Sequence, residues 1–286
     1  MGFSGVSRSL FWCAVSCALA ADHSYVVLNK SADNSLVRFA PDGTFRGTIA
    51  AGVGGNGLTA DRDGNYIVAA VSSLIRVTPS GQITNIAKAP PESQWMSVVQ
   101  EQTGSFLVVD NRQHGIWRVS QDGHTTTKLL SYAAPNPVWE GTSIVPDGNG
   151  NYLLLEDHSS ARLFRVTPAG DLGSISLKRS MAFCWSLTPD GPANYLAMQP
   201  YVSVAEEPRG TAIVRIAENG EVIELAKTTA RPNAVVRDPD GGGFIGISNY
   251  QHLLFRISPD GQTVVSLAFD PSHLAFPSAI IVDTPN

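Results

Sequence analysis

An eight-residue pattern, apolar-x-Arg-apolar-x-x-x-Gly, recurs six times along this 286-residue chain. LVRFAPDG ends at Gly43, LIRVTPSG at Gly81, IWRVSQDG at Gly123, LFRVTPAG at Gly170, IVRIAENG at Gly220 and LFRISPDG at Gly261. Its arginines are Arg38, Arg76, Arg118, Arg165, Arg215 and Arg256, spaced 38 to 50 residues apart. An aromatic-led apolar run precedes each unit, from YVVLN at Tyr25 to FIGIS at Phe244, and a third run such as EVIELAK from Glu221 follows the glycine. A fourth run lies between units: NGLTADRDG, MSVVQEQTG, EGTSIVPDG, FCWSLTPDG and NAVVRDPDG. A fixed period of this length marks a stacked supersecondary unit, and it restricts the fold before composition is considered.

Each run is short, rich in β-branched and aromatic residues, and bounded by Gly, Pro, Asp or Asn, the signature of a strand. The Pro-Asp-Gly and Glu-Asn-Gly steps supply turn residues able to take the positive φ of tight hairpins. Four antiparallel strands per period make one propeller blade, so the chain is expected to be an all-β, six-bladed propeller. It starts on the second strand of a blade at Tyr25 and ends on an unpaired first strand, SAIIVD, from Ser278 to Asp283. Pairing of that strand with the N-terminal blade closes the ring and leaves no sheet edge at the seam. The repeated arginines are expected to pair with turn carboxylates or with a neighbouring blade, and Asp61-Arg-Asp63-Gly64 and Asp238-Pro-Asp240-Gly241 to be hairpin turns.

Residues 1–21 carry the marks of a signal peptide: Arg8, an apolar stretch from Leu10 to Ala20, and the small-x-small step Ala18-Leu19-Ala20. The expected mature domain is 22–286, secreted or periplasmic and monomeric; the alternatives are an N-terminal anchor or a misplaced start. Cys13 and Cys17 fall in the leader, so Cys184 alone remains and no internal disulfide or thiolate cluster is available. A net charge of −5 with 20 Lys+Arg argues against nucleic acid or an anionic membrane surface. No other segment is long and apolar enough to span a bilayer.

The unit FLVVDNRQHGIWRVSQDG resembles an NHL repeat, and the whole mature chain is similar to the NHL, SMP-30/gluconolactonase and strictosidine-synthase-like six-bladed propellers. Those groups hydrolyse, condense or bind, so the resemblance implies the fold more closely than the chemistry. Streptogramin lyases share DGNYIVA-type runs but close seven blades, against six counted here.

Propeller ligands sit at one mouth of the channel, among loops entering the innermost strand and joining the second to the third. Alignment on the following turn glycine puts Asn56, Met96, Glu140, Phe183, Asn233 and Ser278 at the inner-strand starts, with Thr142 replacing Glu140 if the longer turn of blade four is counted differently. The second-strand ends read Asn29, Ala70, Asp110, Glu156, Gln199 and Ser248. The SMP-30 resemblance implies one divalent cation, Ca or Mg, held by Glu140, Asn56 and Asn233 with Asp110 or Asp157 completing the shell. Oxygen ligands suit such hard ions, though no Asp occupies an inner-strand start.

His158 beside Asp157 offers an oriented general base, the alternative being a solvated loop. Glu156, Trp139, Phe183, Tyr201, His114 and His252 are the further candidates for the substrate mouth. Tyr201 lies in QPYVSVAEEPRG, the longest second-to-third-strand connection. Two functional classes remain: a metal-assisted lactone or ester hydrolase, and an NHL-type binding or sensing propeller for a small molecule or peptide, with a metal-free lyase, cyclase or condensing enzyme beside them. Glu140 at the inner ring favours the first; Thr142 there, with an apolar bore, favours the others. P-loop, G-x-S-x-G and H-E-x-x-H motifs are all absent.

Overall fold

The computed structural model describes residues 23–30, 33–131, 143–156, 161–181, 184–201 and 210–284. Residues 1–21, read above as a signal peptide, lie outside them. Blade I contributes β1 (Ser24–Asn29), β2 (Ser35–Phe39) and β3 (Phe45–Ala50). Blade II holds β4 (Gly57–Ala60), β5 (Tyr66–Ala70), β6 (Ser73–Val77) and β7 (Ile83–Lys88). Blade III holds β8 (Trp95–Gln100), β9 (Phe106–Asp110), β10 (Gly115–Val119) and β11 (Thr126–Ser131). Blade IV holds β12 (Ser143–Pro146), β13 (Tyr152–Glu156), β14 (Arg162–Val166) and β15 (Leu172–Ile175). Blade V holds β16 (Trp185–Pro189), β17 (Asn194–Tyr201), β18 (Gly210–Ala217) and β19 (Val222–Thr228). Blade VI holds β20 (Ala234–Arg237), β21 (Phe244–Ser248), β22 (Leu253–Ile257) and β23 (Val264–Phe269).

The last strand, β24 (Pro277–Asp283), pairs antiparallel with β1, Ile280 facing Val27, and becomes the innermost strand of blade I. Six four-stranded antiparallel sheets result, closed as the terminal runs require. Each innermost strand touches the next around the channel, and β20 returns to β24. Among the described residues no helix is long and apolar enough to cross a membrane.

The apolar residues form six cores, one at each blade seam. The second strand explains its continuous apolar run: Tyr25 and Val27 pack toward blade VI, while Val26 and Leu28 pack toward blade II. A strand covered on both faces loses the alternation of a half-exposed one. The fourth strands have one free side, so β3 and β7 carry exposed residues.

The three marks of the repeat have distinct structural roles. Its arginine reaches across the second strand to a carboxylate at the end of the first strand of its own blade. Arg38 meets Asp283, Arg76 Asp61, Arg118 Glu101, Arg165 Asp147, Arg215 Asp190 and Arg256 Asp238, at 2.6–3.3 Å. Its glycine, at φ between +73° and +94°, lies against the outer strand of the preceding blade. A Cβ at Gly123 would overlap the carbonyl oxygen of Ile86. Its aromatic residue also faces the preceding blade: Tyr66 donates to Asp283 at 2.7 Å, and Tyr25 to Asp238 at 3.5 Å. Asp61 and Asp238 additionally fold their own turns, accepting backbone N–H from Asp63 and Asp240.

Candidate functional site

The arginine-bound carboxylates fix the register of the inner strands. Counting back five residues from Asp61, Glu101, Asp147, Asp190, Asp238 and Asp283 gives Asn56, Met96, Thr142, Trp185, Asn233 and Ser278 as the strand-entry ring. Strand pairing agrees in blade IV, where Ser143 faces Leu155 as Gly57 faces Ala69 and Ala234 faces Ile247. The repeat position of Asn56 therefore belongs to Thr142, not Glu140; in blade V the count from Asp190 reaches Trp185, not Phe183, and a bulge at Ser186 lets Trp185 pair with Met198 as Gly57 pairs with Ala69. Turn chemistry is the reason. The left-handed residue three places after the carboxylate is Gly64, Gly104, Gly150 and, in blade V, Ala193 at φ +56°. Alignment on Gly148 and Gly191 displaces both blades by two residues.

The side chains of Trp139, Glu140, Thr142, Asp157, His158, Phe183, Trp185 and Tyr201 lie outside the described residues. The backbone of Tyr201 is described: it pairs with Gly210, so the blade V hairpin extends beyond the others through two strands of eight residues.

At the mouth, side-chain hydrogen bonds stitch every inner strand to the next. Ser278 Oγ donates to Gly55 O at 3.0 Å, Asn56 Nδ2 to Trp95 O at 3.1 Å, and Ile144 N to Ser97 Oγ at 3.2 Å. Leu187 N donates to Ser143 Oγ at 3.1 Å, Thr188 Oγ1 to Val235 O at 3.0 Å, and Asn233 Nδ2 to Pro277 O at 2.7 Å. The two asparagines are thus the same latch in different blades, since Trp95 and Pro277 are equivalent in the repeat.

The second-strand ends anchor loops. Buried Asp110 accepts N–H from Gln94, Arg112 and Gln113 on Oδ1 (3.0–3.1 Å) and the indole N–H of Trp117 on Oδ2 (2.9 Å). Asn29 repeats the device in blade I, accepting from Phe276 N at 2.9 Å and donating to His273 O at 3.0 Å. Glu156 is buried and paired with Arg162; burial pushes its pKa up, partly opposed by that guanidinium. His114 and His252 take the left-handed turn position before the third strand, at φ +45° and +55°. They stand on opposed blades, III and VI, and so build no joint site. His252 Nδ1 lies 3.1 Å from Leu274 O.

The innermost strands enclose a cavity of about 850 Å³. Lys30, Asn56, Asn249 and Phe276 line it at the mouth, Leu58 and Ile144 along the bore, and Arg62 and Arg237 at the far end. The mouth is one connected structure around blade I. Lys30 N donates to Phe276 O at 2.8 Å, the Lys30 ammonium donates to Asn56 Oδ1, and Asn249 N donates to Asn233 Oδ1 at 2.8 Å. Lys30 is exposed, and the neighbouring wall atoms lower the pKa of its ammonium by partial desolvation. Lys30 and Asn249 occupy one repeat position, the residue after the second-strand end. In the sequence this position is the last residue of YVVLNK and FIGISN, one beyond the second-strand ends Asn29 and Ser248.

The described donors do not fit a divalent cation. Asn56 Oδ1 already faces a cation, Asn233 Oδ1 faces an N–H, and the Asp110 oxygens accept four donors. His23, Asp238 and Asp240 gather within 4.8 Å at the opposite end. There Arg256 holds Asp238 at 2.6 Å, which supplies the positive charge that the buried carboxylate requires.

No family model matches the chain, and no curated protein does so either. Solved structures do. A chain of a nidogen–laminin complex is similar with a TM-score of 0.69 at 12% identity, over 91% of this chain and 98% of that one. Virginiamycin B lyase from Staphylococcus aureus is similar with a TM-score of 0.56 at 19% identity, over 79% and 73%. A Bacteroides caccae protein gives 0.62 at 15% identity, over 93% and 100%. At these identities the likeness establishes the propeller fold, shared by a lyase and by a protein-binding assembly.

Proposed function

We propose that this chain is an extracytoplasmic, monomeric ligand-binding propeller of NHL type, with its site for a small molecule or the end of a peptide at the blade I side of the channel mouth. The cavity carries the reading. Its volume of about 850 Å³ falls within the range of ligand sites, roughly 300–1,000 Å³, and Lys30, Asn56, Asn233 and Asn249 gather at the mouth, while Arg62 and Arg237 line the far end. The repeat register supports it over the hydrolase, because Thr142 takes the position that the metal reading gave to Glu140. The calcium or magnesium centre expected from the SMP-30 resemblance has no support in the described donors, and no step is assigned to it.

Thermal stability of the purified protein against a fragment library tests the reading, with a Met96→Trp variant that fills the mouth. Fragments should raise the melting temperature of the wild type and lose their effect in the variant, because a ligand that binds only the native state stabilises it by linkage. Equal shifts in both proteins, or none, would refute the site. Stabilisation by calcium or manganese that disappears in Glu140→Ala would restore the metal reading.

A second reading is favoured by the likeness to virginiamycin B lyase: a pocket enzyme at the same mouth. Its acid–base pair would be Asp157 and His158, which follow the buried Glu156 directly. Turnover of a lactone or ester by the wild type, abolished in His158→Ala, would establish it.

A further inference from the structure

We infer that residues 270–276, the connection from β23 to the closing strand β24, form a pH-responsive strap beside the channel mouth, held most tightly when His273 is protonated. The inference goes beyond the ligand reading and does not depend on it. The strap begins as a single helical turn capped by Asp270. Asp270 Oδ1 accepts N–H from Ser272 at 3.0 Å and from His273 at 3.1 Å, and Leu274 N donates to Asp270 O at 2.7 Å. The other carboxylate oxygen, Oδ2, lies 2.6 Å from His273 Nδ1. Ser272 Oγ donates to Asp270 Oδ1 at 2.5 Å and lies 3.1 Å from His273 Nδ1. Because Ser272 and Asp270 meet the same imidazole nitrogen, the trio is no nucleophilic relay.

What the strap carries gives this pair its reach. Leu274 is fully buried in the core between blades VI and I. Asn29 Nδ2 donates to His273 O at 3.0 Å, Phe276 N donates to Asn29 Oδ1 at 2.9 Å, and Lys30 N donates to Phe276 O at 2.8 Å. Phe276 lines the cavity, so the strap positions one wall of the mouth. From blade VI, His252 Nδ1 lies 3.1 Å from Leu274 O, and its ring meets Phe276 edge-on.

Charge makes the clasp titratable. His273 faces Asp270 and Ser272 on its own turn, the stacked Phe45 ring of β3 and, through its carbonyl, the Asn29 amide of β1. Asp270 is the one ionisable group among them. Burial acts to raise the Asp270 pKa, but hydrogen bonds from Ser272 and His273 outweigh it and hold the carboxyl below its usual range. The carboxylate is therefore charged throughout the range in which an imidazole titrates, about pH 5 to 8. A protonated His273 gives it an ion pair with a charge-assisted hydrogen bond; a neutral one does not. Acid tightens the strap, and alkali loosens it.

Hydrogen exchange of the full chain, read by mass spectrometry as protection factors at about pH 5.5 and pH 8, tests this across the imidazole range. Protection of residues 270–276 should fall roughly fivefold from the lower to the higher pH, the effect of losing one charge-assisted contact. Protection of β24 should stay constant. The fall should disappear in His273→Gln, which keeps a donor without the charge, and persist in His252→Gln. Asp270→Asn removes the other charge and should abolish the fall as well, which supplies the test if His273→Gln does not fold. Equal protection at both pH values in the wild type, a fall that survives either charge-removing variant, or one abolished by His252→Gln overturns the inference.

Discussion

Arg118 on β10 grips Glu101 at the end of β8 with two parallel hydrogen bonds of 2.7 Å, from Nε and Nη2 to the two carboxylate oxygens. Between them lies β9, so the pair clamps the inner three strands of one blade. Glu101 is only 3% exposed. Removing one partner leaves a buried charge unmatched, which costs about 3–5 kcal/mol, whereas replacing both is far milder. Arg118→Met should therefore lower stability by about that amount in urea unfolding, with much of it regained in Arg118→Met/Glu101→Leu. Additive losses would show that the two residues act independently.

Two tyrosines at one repeat position should respond oppositely. Tyr66 donates to Asp283 at 2.7 Å, while the buried hydroxyl of Tyr195 has no partner among the described residues. Tyr66→Phe should cost about 1 kcal/mol, the usual worth of a hydrogen bond. Tyr195→Phe, which removes an unsatisfied group, should be neutral or stabilising on the same ground. Denaturant midpoints of the two variants give the comparison directly.

Gly123 and Gly148 share a left-handed backbone, at φ +75° and +79°, but not surroundings. Nothing lies near a Cβ at Gly148, so Gly148→Ala should lose about 1 kcal/mol for conformation alone. Gly123→Ala also drives a methyl into the Ile86 carbonyl of the neighbouring blade and should cost at least twice as much. Similar melting temperatures for the two variants would contradict this account of the repeat glycine.

Alkaline pH should unfold the ring. Burial pushes Tyr25, Tyr66 and Tyr195 up from 10.0 to about 12, with neighbouring carboxylates acting in the same direction. The fold favours the protonated phenol, so this contribution is complete below pH 10 and is lost as pH rises toward 12. For each phenol, a tenfold weaker acidity in the folded state is worth ~1.4 kcal/mol. Absorbance at the phenolate band should show these tyrosines ionising late and together with loss of tertiary structure. Ionisation of all seven near pH 10 without unfolding would refute the blade-seam burial.

The blades, their number and the closing strand were legible in the chain itself. Hairpin formation depends on side chains a few residues apart, so LFRISPDG carries its strand, its turn and its glycine within eight residues. The arginines could be read as structural for the same reason: a feature present in every blade serves what every blade does. Partner identity was less visible, since Asp190 answers both Arg215 and Arg237.

The mouth depended on tertiary structure. Ala193 adopts the left-handed turn that the sequence pattern assigns to glycine, and the register is restored by strand pairing in blade IV and by the count from the arginine-bound Asp190 in blade V. Asn56 and Asn233 are good oxygen ligands on paper, but their amides are taken by Trp95 O and Pro277 O on the next blade. Lys30 reaches Asn56 across a blade seam. Sequence fixes what each strand repeats. The channel mouth gathers one or two residues from each blade, and which atom faces which is decided when β24 closes the ring and packing sets each rotamer.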